Sequence, residues 1–317
     1  MVNETLEGQN RKGWVKSLVI VWTLSLLLLF LAFVLGGIVF SVTAGFAGIA
    51  SWFITPKVTP AMVLRFYRGT PLAPHRLPHL HVLLEDLSRR AGLDKPPELW
   101  LLPSLKPIAF ATGDPKHSAV AFSDGILQKL SPHELAGVLA HEISHIAHHD
   151  NRIMWFTAVT VKMIHLLSIF GQLMVLVLLP TIFKGDREIS LLLLTGVILA
   201  PVGATLLQLA LLRTREFAAD LGSARILGSA APLMGALQKL DGRFEGMLGF
   251  GARRHQQKGH TLFRTHPPVR ERVKKLMTLS HMGTQQMGLM PEENDSKKGP
   301  YIPGAIYEKK RGDDSEK

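Results

Sequence analysis

Cysteine is absent from the 317 residues. The chain therefore has no disulfide to brace it and no thiolate to bind a metal, and the absence agrees with a reducing compartment. No internal repeat is evident, and no nucleic-acid-binding motif accompanies the net charge of +11. Charge itself is missing over long stretches. None falls between Ser17 and Pro56, a run of 40 residues, whereas one bilayer crossing takes roughly 20 residues of helix. Two crossings fit, with Gly36-Gly37 at the midpoint of a tight hairpin between Lys16 and Lys57. A cleaved signal peptide is excluded, because the run is too long and continues past any plausible cleavage point.

A second uncharged pair, Met163 to Phe183 and Ile189 to Leu212, is separated by Lys184-Gly185-Asp186-Arg187-Glu188 and predicts a third and a fourth span. Pro201 and nearby glycines are expected to kink the fourth, which a bilayer tolerates when neighbours satisfy the freed backbone groups. His165 is the one ionisable residue inside the four core stretches, where a histidine more often packs or snorkels than acts. Arg11, Lys12 and Lys16 precede the first span and Lys57, Arg65 and Arg68 follow the second. Arg152 precedes the third, and Arg213 and Arg215 follow the fourth. The first hairpin tip has no basic residue and the second offsets Lys184 and Arg187 with two acids. Both termini and the intervening polar segments are therefore expected in the cytoplasm. Basic flanks facing anionic lipid head groups account for the net charge without a nucleic-acid partner.

These boundaries divide the chain into a hairpin at 1–60, a polar segment at 61–152, a second hairpin at 153–212, a polar segment at 213–281 and a disordered tail at 282–317. Within the polar segments, Pro78 to Ala91 has helical spacing and ends at Gly92 as a C-cap. Glu98 to Leu102, Ile108 to Ala111 and Ser118 to Phe122 read as a small sheet. Further helices are expected around Pro232 to Leu240 and from Pro267 to Leu279. A glycine-rich loop from Gly242 to Gly259 lies between them.

The most specific motif is His141-Glu142-Ile143-Ser144-His145. Two histidines four apart on a helix share one face about 6 Å apart at Cβ, so both imidazoles can reach one tetrahedral Zn²⁺. Glu142 between them can take a proton from a zinc-bound water whose pKa the metal has lowered toward about 7. Ser131-Pro132-His133-Glu134 supplies an N-cap, an N1 proline and a capping-box glutamate, which starts a helix upstream and places the motif on it. A hydrolytic zinc needs a third protein ligand. His148 lies a helical turn too far along the same face, and His149 and Asp150 read as polar groups ending a solvated helix. Downstream, Glu216 and Asp220 share a helical face. They suit either a ligand with its orienter or an ordinary ion-pair face with Arg213 and Arg215.

Four segments together resemble the HtpX-type membrane-bound zinc metalloproteases, a family related to the CAAX prenyl proteases. They are Ala109-Phe110-Ala111-Thr112-Gly113, His141 to His145, Arg215 to Asp220, and Thr265-His266-Pro267-Pro268 with Arg270 and Arg272. The resemblance implies one Zn²⁺ per chain held by His141, His145 and Glu216, with Glu142 as general base and Asp220 as the carboxylate behind a ligand. It also implies that His266 and Arg272 steady the oxyanion, since cationic donors suit developing negative charge. Ile108 departs from the family, which usually has Asn there, and this bears on one polar contact near the cleft.

The expectation is a multi-pass α-helical membrane protein carrying an α+β zincin-like domain, mostly helical with a small sheet. It would hydrolyse peptide bonds at the cytoplasmic face of the inner membrane, in quality control of misfolded or damaged membrane proteins. A substrate strand adding to the sheet edge would be held by its backbone, giving broad specificity. The competing readings are a prenyl-peptide protease, for which four spans are few, and a noncatalytic zinc-stabilised scaffold, against which Glu142 argues. A transporter would want more ionisable residues within its spans.

Overall fold

The computed structural model describes residues 2–53, 60–183, 191–241 and 268–286. In chain order the elements are α1 (Val2–Phe53), α2 (Pro60–Phe66), β1 (Thr70–Pro71), α3 (Pro78–Arg90), β2 (Glu98–Leu102), β3 (Ala109–Asp114) and β4 (His117–Ser123). There follow α4 (Asp124–Lys129), α5 (Pro132–Ala147), α6 (Asp150–Phe183), α7 (Leu191–Leu227), α8 (Ala231–Leu240) and α9 (Val269–Gln286).

Three of these helices, α1, α6 and α7, are long and apolar enough to cross a membrane. The first is bent back on itself. At Gly37 the backbone adopts φ 66° and ψ −155°, a region open to glycine because a Cβ would clash there. Beyond the bend, Ser41 Oγ donates to Leu29 O at 2.9 Å, whereas twelve residues of straight helix would separate the two by about 18 Å. The chain thus has four apolar runs, as the uncharged stretches predict. Leu24, Leu28 and Leu31 from the first run pack with Ile164 of α6 and Val197 and Ala204 of α7. Trp22, Leu26, Phe33, Val177 and Leu206 point outward and are exposed. A surface this apolar belongs in lipid.

Pro201 lies inside α7 without ending it. Its nitrogen cannot donate to Val197 O one turn back. Ser168 Oγ of α6 donates to that carbonyl instead, with Gln172 Nε2 at 3.4 Å. Because the helix survives, α7 carries the chain from the membrane directly to Glu216 and Asp220.

The sheet runs β1-β2-β4-β3, with β2 parallel to β4 and the other pairs antiparallel. Strands β2 to β4 match the sequence reading. The two residues of β1 and the short helices α2 and α4 are too brief to leave a periodic pattern. Gly92, at φ 75°, closes α3 by donating to Arg89 O at 3.0 Å. At the far end, α9 runs past His281 to Gln286. The remaining tail from 287, the Gly242 to Gly259 loop and the Lys184 to Glu188 tip lie outside the described residues.

Helix α5 is the centre of the polar domain. Ser131 and Glu134 complete the capping box, Ser131 Oγ accepting from the Glu134 N–H and Glu134 Oε2 accepting from the Ser131 N–H at 2.8 Å. All residues from Ala136 to Ile146 are buried. Leu139, Ile143 and Ile146 face Val120 and Phe122 of the sheet and Leu84 and Leu87 of α3. Each such side chain contributes about 1.5–3 kcal/mol on burial. On another face α8 crosses at Gly137, where a Cβ would stand 2.4 Å from Leu233 N.

Gly137→Ala tests this crossing. Helix propensity favours alanine by about 1 kcal/mol, but forcing two backbones apart costs more, about 1–3 kcal/mol by the usual scale of overpacking. A net loss of up to about 2 kcal/mol is expected, read as a lower thermal midpoint in detergent. A raised midpoint would show that the two helices can separate freely.

Candidate metal centre

Close approach of α7 to α5 creates the site. A Cβ on Gly222 would fall 1.9 Å from Ser144 Oγ, so only glycine permits this spacing. Ser223 Oγ adds a buried hydrogen bond to Gly137 O at 3.0 Å. With the helices so placed, Glu216 meets the two histidines. His141 Nε2 and His145 Nε2 are 3.2 Å apart, and the Glu216 carboxylate oxygens stand 3.7 Å from each. A tetrahedral ion with bonds of 2.0–2.1 Å places its ligand atoms about 3.4 Å from one another. The three donors fit that shape, and they form the group among the described residues suited to a metal.

A carboxylate stands on the far side of each imidazole. His141 Nδ1 lies 3.2 Å from Asp220 Oδ1, and His145 Nδ1 lies 2.8 Å from Asp150 Oδ2. Each Nδ1–H donates to its carboxylate, so each Nε2 turns a lone pair toward the other. At 3.2 Å the two nitrogens can share a proton when the site is empty, or each can turn its lone pair to a metal cation between them. Burial disfavours a charged His145, yet the Asp150 hydrogen bond and the charges of Glu216, Asp150 and Glu142 together lift it to about 9 in the metal-free protein. Those are the same carboxylates that favour a metal cation there.

Asp150 corrects the sequence reading, which made it a polar group at a solvated helix end. It is fully buried. His149, in the left-handed region at φ 55°, reverses the chain between α5 and α6 and returns Asp150 to His145. Arg215, also fully buried, donates from Nε to Asp150 Oδ1 at 2.5 Å. The face of that guanidinium is covered by Trp14 of α1, whose ring centre is 4.6 Å from Cζ. The chain of contacts from Trp14 through Arg215 and Asp150 to His145 thus joins α1, α7 and α6 to one of the three converging donors. No periodic pattern announces it, since Asp150 stands five residues from His145, across a helix break. The available clue was an arginine directly before Glu216 with an acid at the first position of the third span.

Asp220 stands against the Nδ1 side of His141. Burial raises its carboxyl, but the Arg272 charge and hydrogen bonds from His141 and Arg272 outweigh this and hold it below the ordinary range. Arg272 Nε donates to Asp220 Oδ2 at 2.9 Å, and its Nη1 is 3.5 Å from Glu216 Oε2. Glu142 is buried, and its charge reaches both His145 and Arg272. His148 is not among the converging donors and instead meets Ser144 Oγ through Nδ1 at 3.2 Å. Ile108 packs in a small apolar cluster with Leu64 and Trp100, its N–H donating to Ser123 Oγ at 2.8 Å. His266 lies outside the described residues.

Residues 74–280 match the family model described as Peptidase family M48. The chain is 31% identical over 293 residues to "Protease HtpX homolog" of Ralstonia nicotianae, covering 86% of this chain and 98% of that one. It is 34% identical over 288 residues to "Protease HtpX homolog" of Persephonella marina, covering 84% and 97%. Among solved structures, that of S. mikatae Ste24p is similar at a TM-score of 0.40 and 21% identity, over 84% of this chain and 66% of that one, a likeness too distant to carry weight. The sequence match spans both ligand-bearing helices and the metal-compatible geometry lies within it: the chain belongs to peptidase family M48 and to its HtpX-type membrane metalloproteases.

Proposed function

We propose that the chain is a zinc-dependent endopeptidase of the cytoplasmic membrane, with its site facing the cytoplasm and with damaged or unfolded membrane polypeptides as substrates. The observation that carries the reading is the convergence of His141, His145 and Glu216 at tetrahedral spacing with Glu142 buried beside them. Zinc held there supplies a Lewis acid that polarises a carbonyl and makes water acidic near neutral pH. Glu142 takes the proton from the attacking water and delivers it to the leaving amine. Asp150 and Asp220 fix the imidazole tautomers. Arg272 serves the ligand cluster by holding Asp220 and Glu216, and donation from Nη1 to an oxyanion would require it to leave Glu216.

Strand β3 is the proposed substrate support. It pairs only with β4 among the described residues, so its outer row of peptide groups has no strand partner there. Asn151 Nδ2, one residue beyond Asp150, donates to Gly113 O at 3.0 Å and ties this strand to the start of α6. A substrate added along β3 would be held by its main chain, leaving side-chain choice loose.

The protein prepared without metal should not cleave casein, and stoichiometric zinc should restore cleavage. Full activity in the presence of a chelator would sink the reading. Orientation has its own test, since the native chain has no cysteine. Lys116→Cys, at an exposed position, should be shielded in intact cells from an impermeant thiol reagent. Gly185→Cys should react. The reverse pattern would turn the site to the other side of the membrane.

A further inference from the structure

The third and fourth spans carry polar groups where lipid is expected. A groove of about 420 Å³ between α6 and α7 is lined by His165, Ser168, Gln172, Pro201, Thr205 and Leu206, among others. His165, Gln172 and Thr205 are exposed within a surface of Leu166, Ile169 and Leu206. Part of this polarity serves the fold, since Ser168 and Gln172 satisfy the carbonyl freed by Pro201. The rest does not. Thr205 gives its hydroxyl proton to Pro201 O at 2.8 Å, so His165 Nε2–H must donate to Thr205 Oγ1 at 3.2 Å. With Nε2 as the donor, Nδ1 turns outward as an acceptor. Gln172 commits its amide nitrogen and leaves its carbonyl oxygen as a second one. Neither acceptor meets a donor among the described residues, and hydrocarbon tails offer none.

We propose that this groove docks a transmembrane helix of a substrate protein bearing a hydrogen-bond donor near the end of its span. The donor would be an asparagine, glutamine, serine or threonine that meets His165 Nδ1 and Gln172 Oε1. The inference rests on the reading of the chain as a protease of membrane polypeptides and names the feature by which it selects them. Position supports the occupant. Lys162 and Arg213, the nearest flanking charges on the site side, stand three and eight residues from His165 and Thr205. These separations place the groove about 5–12 Å inside the bilayer surface. The same helices lead to the metal, with 15 residues from His165 back to Asp150 and 11 from Thr205 on to Glu216. That is about 16–22 Å of helix. A docked helix would leave the membrane beside the site, with its scissile bond about 5–7 residues from the docked donor if the chain is extended and about 11–15 if it is helical. A span whose polar residue has lost its own partner is what an unassembled or misfolded membrane protein presents.

The full-length protein in liposomes with zinc would be given two reporters that differ only within the span, one all-leucine and one with a single asparagine two turns from its end. Hydrogen bonds between membrane helices correspond to rate preferences of about 3 to 20-fold. The asparagine reporter should be cleaved faster by that factor. His165→Leu and Gln172→Leu should each reduce the preference toward one while casein cleavage stays within about twofold of wild type. A preference that persists in both variants would overturn the docking role, as would equal cleavage of both reporters by wild type. Loss of casein cleavage in both variants would also overturn it, by showing that the groove only supports the fold. If wild type cleaved neither reporter nor casein, the protease reading itself would fail.

Discussion

Replacing Glu142 by Gln should lower kcat by about 10³-fold or more while zinc content stays at one per chain. The amide has nearly the shape of the carboxylate and leaves His141, His145 and Glu216 untouched, but it cannot accept a proton at neutral pH. General acid–base catalysis contributes typically 10²–10⁴-fold, and here one residue takes and returns the proton, so a loss toward the upper end is expected. KM should change little, because substrate held along β3 does not depend on Glu142. Metal analysis and turnover with casein check both halves. Near-normal turnover would remove Glu142 from the chemistry, whereas lost zinc would make it a ligand.

Glu216→Ala is expected to lose zinc on dialysis and with it all measurable cleavage, since two imidazoles remain where three donors converge. The residues behind the ligands should show a graded effect. Asp220→Ala and Asp150→Ala should each weaken zinc binding about 10 to 100-fold, the usual cost of losing a carboxylate that orients a ligand histidine. Asp150→Ala carries a further cost, because it strands the Arg215 charge in the interior, where an unpaired ion costs several kcal/mol. Its thermal midpoint should therefore fall further than that of a variant holding Arg215→Met as well. Chelator competition and thermal unfolding separate the two effects. Undiminished zinc in Glu216→Ala would move the third ligand elsewhere.

The sequence showed most of this arrangement where a signal is local. Uncharged runs gave the four apolar runs of helix, the serine and glutamate of the capping box gave the start of α5, and i,i+4 spacing gave the histidine pair. Glu216 needed the family resemblance, since its own neighbourhood admitted an ion-pair face equally well. Asp150 escaped altogether. Its contact with His145 depends on a left-handed residue at His149 that no helical periodicity foretells. Its burial depends on Arg215, 65 positions away. The acceptor left on His165 was likewise hidden, because it follows from which proton Thr205 gives to Pro201 O.

The separation of the ligands along the chain also bears on when the protein becomes active during its own synthesis. Glu216 follows His145 by 71 positions, which include both later apolar runs. At 5–20 residues per second, translation adds them over roughly 4 to 14 seconds. Until α7 has been inserted and packed against α5, the nascent chain holds two imidazoles and no third donor. On the proposed reading, hydrolytic competence would be among the last properties it acquires, and a copy stalled or misinserted part-way would be unable to attack the newly made membrane proteins around it.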